Sequence, residues 1–111
     1  MGALDMVVPV AATRRLTTHV LVADRTVAVA AVGTLTEAGV PALVIELAEA
    51  FELCTGTVVL DLSSCTTHGD TVVAVVKRAV VRAHRTKCGF RVATTDRAVA
   101  SALDSEGILR V

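Results

Sequence analysis

The sequence predicts one α/β domain with a mixed, mainly parallel sheet of about five strands, an N-terminal hairpin and helices packed on the sheet. Three observations carry this. Short valine-rich runs alternate with segments of helical periodicity, which implies right-handed crossovers and parallel pairing. Two such runs stand side by side near the start, separated only by Asp24-Arg25, which implies a hairpin. The 111 residues are 53% apolar but only 2% aromatic, enough for a single aliphatic core.

Residues 1–16 hold short apolar patches followed by Arg14-Arg15 without sustained periodicity, and they read as a loosely ordered leader to a domain at 17–111. Residues 18–23 and 26–32 are the hairpin strands. Over 36–53, Val40, Leu43, Val44, Leu47 and Phe51 recur at three- and four-residue steps, with Glu46, Glu49 and Glu52 opposite, which predicts an amphipathic helix. Pro41 suits its first turn, where an amide hydrogen is not needed. Residues 57–62, Thr-Val-Val-Leu-Asp-Leu, form a run apolar enough for a strand covered on both faces.

A polar loop follows, then a second helix over 71–87. Val72, Val73, Val76, Ala79, Val80 and Ala83 gather on one arc and Arg78, Arg82 and Arg85 on the other. Valines lose side-chain freedom in a helix, so this one depends on packing. Residues 90–94 read as a strand, 97–105 as a third helix stopped by Gly107, and 108–111 as a last short strand.

Eleven basic and eleven acidic residues cancel, and tryptophan and tyrosine are absent. With neither a phosphate-neutralising field nor rings for base stacking, nucleic acid is a poor partner. Polar residues break every apolar run well short of the roughly 18 that span a bilayer, so no membrane partner is expected. Met1-Gly2-Ala3-Leu4-Asp5-Met6 matches neither a secretion nor a myristoylation signal, and the odd set Cys54, Cys65 and Cys88 fits reduced thiols, so the expected location is cytoplasmic.

Catalytic patterns are missing: no phosphate-binding glycine loop, no dinucleotide fingerprint and no nucleophile elbow. No cofactor is expected. Cys65-x-x-His68 and His84-x-x-x-Cys88 have the local spacing of zinc ligand pairs. A helix between the two histidines holds them roughly 24 Å apart, so no metal site is expected. A strand likewise separates Cys54 from Cys65, whereas Cys54 and Cys88 each precede a strand and share one end of the sheet, which leaves redox coupling between them open.

Gly33-Thr34-Leu35 with Pro41-Ala42-Leu43, then Val58-Val59-Leu60-Asp61-Leu62-Ser63 and Thr66, then Ala98-Val99, Leu103 and Gly107 resemble the STAS domain of bacterial anti-sigma factor antagonists. The likeness spans about residues 17–111. It implies a protein without catalytic activity whose partner is an anti-sigma factor or a related protein of serine kinase fold. In that family the partner phosphorylates a Ser or Thr at the start of the second helix, within Asp-Ser-Ser-Gly or Asp-Ser-Thr-Gly. Here that motif falls on Gly69-Asp70-Thr71-Val72, and nearly every position departs from it.

Asp70 takes the phosphoacceptor position, with a fixed charge of about −1 where phosphoserine brings nearly −2. It reads either as a permanent imitation of the phosphorylated state or as a helix cap. Thr71 keeps a hydroxyl and is the candidate phosphorylation site. The expected partner surface comprises Ser64, Thr66, Thr67, His68, Gly69, Asp70, Thr71 and Val75, joined by Ile45 on the first long helix. Val81, among the arginines of the second, is a further candidate exposed apolar residue. The expected state is a monomer or weak homodimer. Alternatives are a degenerate STAS-like scaffold subunit of a signalling complex and a small thiol or redox protein built on Cys65, with His68 and Asp70 beside it.

Overall fold

The computed structural model describes residues 16–111. Most of the expected leader therefore lies outside the described residues. Leu16 does not: it is half-buried against the core.

The chain runs β1 (Thr17–Ala23), β2 (Thr26–Thr34), a 3-10 turn (Glu37–Gly39), α1 (Val40–Leu53), β3 (Thr57–Thr66), α2 (Gly69–Thr86), β4 (Gly89–Ala93) and α3 (Arg97–Ser105). The sheet order is β1-β2-β3-β4, with β1 antiparallel to β2 and the later pairs parallel. The hairpin closes without glycine because Asp24 adopts the left-handed conformation (φ 54°), a region aspartate tolerates better than most residues.

Among the described residues four strands form the sheet, against the expected five or so. Residues 108–111 supply only a single bridge, Val92 with Arg110, made by hydrogen bonds from Val92 N to Leu109 O and from Val111 N to Val92 O. This segment satisfies two backbone groups of the β4 edge, the amide and carbonyl of Val92.

Sequential strand order combined with right-handed crossovers returns every helix to the same side. The core lies between that side and the helices, and β2 shows strict alternation: Val27, Val29 and Ala31 are buried while Thr26, Ala28, Ala30 and Val32 are half-exposed. The expectation that β3 is covered on both faces fails for the same reason. Val58, Leu60 and Leu62 are buried, and Thr57, Val59 and Asp61 on the open face are not.

Against these strands pack Leu43, Leu47 and Phe51 of α1, Val72, Val75 and Val76 of α2, and Val99 and Leu103 of α3. Phe51 meets Phe90 with ring centroids 5.9 Å apart. On the edge strand β1, Val20, Leu21 and Val22 are all exposed.

Candidate functional site

The polar loop expected after residue 62 is mostly strand. β2 continues to Thr34 and holds β3 in register to Thr66, through Val32 with Ser64, Gly33 with Cys65 and Thr34 with Thr66. Between Ala30 and Val32 the register slips, leaving Leu62 and Ser63 opposite Ala31 alone. An extra residue of this kind bends a strand and re-aims the side chains beyond it. Asp61 stabilises the bulge by accepting from the Ser63 amide at 2.9 Å and from the Ser63 hydroxyl. Beyond it Ser64 and Thr66 share the open face with Val32 and Thr34, and Cys65 follows Gly33 toward the helix side.

Only Thr67 and His68 then link β3 to α2. Leu35 N donates to Thr66 O at 2.9 Å, and the Thr67 hydroxyl donates to Leu35 O at 3.0 Å, which ties this link to the connection between β2 and α1. Residues 34–37 and 66–68, with Thr71, enclose a shallow cavity of about 260 Å³. Thr66, Thr67, His68 and Thr71 thus line one side of it. The β2–α1 residues opposite them were missed, although Gly33-Thr34-Leu35 was a visible signal.

Helix α2 begins two residues earlier than the apolar periodicity suggests, with His68 in extended conformation as N-cap and Val72 N donating to His68 O at 3.2 Å. Gly69 is needed for a close approach: a Cβ there would stand 2.9 Å from Ala102 Cβ of α3. Asp70 is exposed in the first turn, and among the described residues no hydrogen bond or ion pair engages it. The capping reading is therefore corrected. Asp96 is the residue that caps, its Oδ1 accepting from Ala98 N at 2.8 Å and Val99 N at 3.2 Å at the head of α3.

Two other expected contact residues change status. Val75 is fully buried (0% exposed) because it faces the strands, so it belongs to the core and offers no partner surface. Thr71 is 8% exposed, its side chain turned inward where the candidate phosphorylation site needs an open hydroxyl. Ile45 is exposed (59%) on α1, and it lies outside the cavity.

The four-stranded sheet with helices on one side matches solved structures. An anti-sigma factor antagonist from Mycobacterium paratuberculosis superposes with a TM-score of 0.66 at 20% identity, over 84% of this chain and 79% of that one. The anti-sigma factor antagonist SpoIIAA in its unphosphorylated form gives 0.70 at 12% identity, over 86% of each chain. A STAS domain from Rhodobacter sphaeroides gives 0.52 at 21% identity, over 71% of this chain and 84% of that one. The chain has the STAS fold. No family model and no curated relative matches the sequence, so the likeness rests on geometry.

Within this STAS fold all three cysteines are thiols. Burial pushes the Cys65 thiol up, partly countered by the Leu35 backbone, which is the opposite of an activated nucleophile. Cys54 and Cys88 meet at one end of the sheet, with Cys88 Sγ donating to Cys54 O at 3.7 Å. Burial first, and then a hydrogen bond with the Cys88 thiol, raise the Cys54 pKa. Among the described residues no cluster of His, Cys, Asp or Glu has the arrangement of a metal site, and no helix is long and apolar enough to cross a membrane.

Proposed function

We propose that this chain is a non-enzymatic protein-binding module that acts as an anti-sigma factor antagonist in the bacterial cytoplasm. Its partner is an anti-sigma factor of serine kinase fold, and binding that partner releases a sigma factor for transcription. The contact surface is the head of α2 with the link before it, centred on Asp70 and including Thr66, Thr67 and His68.

One observation carries the reading: Asp70 occupies the first turn of α2, exposed and unengaged among the described residues, where the family resemblance places the phosphoacceptor. A carboxylate has no hydroxyl to receive phosphate, so its negative charge is permanent. Near the positive end of the helix dipole that charge needs no further partner in the free protein. A kinase-fold partner that releases its phosphorylated antagonist meets, in this chain, a surface already carrying half of that charge.

The test is calorimetric titration of candidate anti-sigma factors with the wild type and Asp70→Ser, followed by incubation with ATP and phosphate mapping by mass spectrometry. Asp70→Ser is expected to bind about tenfold more tightly, the scale of one charge-assisted contact. In that variant the introduced hydroxyl becomes labelled and Thr71 does not. Equal, strong binding by both proteins removes the mimicry, and binding by neither removes the antagonist reading.

A further inference from the structure

Helices α1 and α2 both return antiparallel to the strands on one face of the sheet, so they lie side by side and leave a trough between them. The trough measures about 460 Å³. From α1 it is lined by Val44, Leu47, Ala48 and Phe51, all uncharged, while its α2 wall carries Arg78, Arg82 and Arg85. The glutamates Glu46, Glu49 and Glu52 of α1 do not line it.

Spaced four and three residues apart, the three arginines form one stripe about 10 Å long. Lys77 beside them is held by Glu106 at 3.7 Å, but among the described residues no ion pair or hydrogen bond engages any of the three guanidinium groups. Val81, 53% exposed, also lines the trough and adds to its apolar wall. The result is an apolar floor with positive charge along one rim and no carboxylate opposite.

We infer that this trough docks an amphipathic helix of a partner protein that carries acidic residues along one flank. Apolar side chains at i, i+3 or i+4 and i+7 of such a helix pack on half-buried Val44 and Ala48 and exposed Val81, above the buried Leu47 and Phe51, and Asp or Glu at the same spacing meets the arginine stripe. Arginine suits this task because its planar fork pairs a carboxylate through two parallel hydrogen bonds. The helical repeat of the stripe favours a helix over an extended strand. The absence of an exposed ring in the trough, Phe51 being buried, disfavours nucleic acid. The surface is separate from Asp70, since Arg78 lies about 12 Å further along α2, and the inference stands without the anti-sigma reading.

The test uses the full chain, isotopically labelled, and two synthetic amphipathic peptides of about 16 residues that differ only in carrying Glu or Lys along one flank. The Glu peptide is expected to bind saturably, with chemical-shift changes confined to α1 and α2, and the Lys peptide about tenfold more weakly or worse. Replacing Arg78, Arg82 and Arg85 together by Gln weakens the Glu peptide about tenfold, and Ala48→Glu weakens it similarly, with thermal melts confirming folded protein. Equal binding of the two peptides, an unchanged affinity in the Gln variant, or shift changes elsewhere overturns the inference. So does tighter capture of an RNA oligonucleotide or of phosphatidylserine vesicles through the same arginines.

Discussion

Replacing Gly69 by Ala tests how firmly α3 fixes the head of α2. The added Cβ stands 2.9 Å from Ala102 Cβ, closer than real Cβ atoms approach one another, so one helix must shift. Gly69 is not among the glycines with positive φ, so the substitution carries no left-handed backbone strain. Alanine even has the better helix propensity, by about 1 kcal/mol in a helix interior and less at the first position. Overpacking by one methyl group in a closed contact costs about 1–3 kcal/mol. The clash therefore outweighs the propensity gain, and the net loss is about 1–2 kcal/mol. Urea unfolding followed by far-ultraviolet circular dichroism measures it, with Ala102→Gly as the second arm of a double-mutant cycle. Ala102→Gly alone costs about 1 kcal/mol as a helix-interior change. The double variant should be more stable than the sum of the single losses predicts, by about 1 kcal/mol or more. A stabilised Gly69→Ala, or simple additivity, refutes the packing account of Gly69.

Gly56→Ala should be worse, at about 2–3 kcal/mol in the same assay, because its Cβ would meet the Arg25 carbonyl oxygen of the hairpin, where backbone rather than a side-chain tip must give. Asp96→Ala should lower stability by about 1 kcal/mol through loss of its two amide contacts, whereas Asp70→Ala should change it by only a few tenths; unfolding midpoints of the pair compare them directly. The raised thiol pKa values of Cys54 and Cys65 favour the protonated forms in the folded chain. Their contribution is complete below the ordinary thiol range, about 8.5, and is lost as pH rises through the higher folded values. Urea midpoints measured from neutral pH upward should therefore fall on the alkaline side, and a double Cys54→Ala, Cys65→Ala variant should flatten that fall.

The helix faces and the hairpin were legible because each depends on short-range periodicity. Leu43, Leu47 and Phe51 do face the strands, and Asp24-Arg25 does turn the chain. What misled was polarity read as loop. Ser63-Ser64-Cys65-Thr66 is polar, yet β2 supplies its backbone partners and a bulge at Leu62–Ser63 absorbs the slip in register. Neither the length of the facing strand nor the bulge shows in the residues themselves. The apolar run of β3 similarly suggested burial on two faces, but sheet order decides how many faces are covered, and a sequential order with one crossover hand covers one.

At the site, the same distinction separates Asp70 from Asp96. Both precede apolar helical runs, and either qualifies as a cap by residue type. A cap requires its own backbone to be extended and outside the helix, and Asp96 meets this with φ −85° and ψ 120°. Asp70 is already the second residue of α2, because Gly69 fits beneath Ala102 and lets the helix start early, with His68 taking the extended position. The feature that removes Asp70 from structural service is thus a contact with α3, more than thirty positions away in the chain, which no local pattern reveals. With the helix head held by α3 and the preceding link tied to Leu35, the Asp70 carboxylate stabilises the fold only through the helix dipole, which leaves it available to a partner.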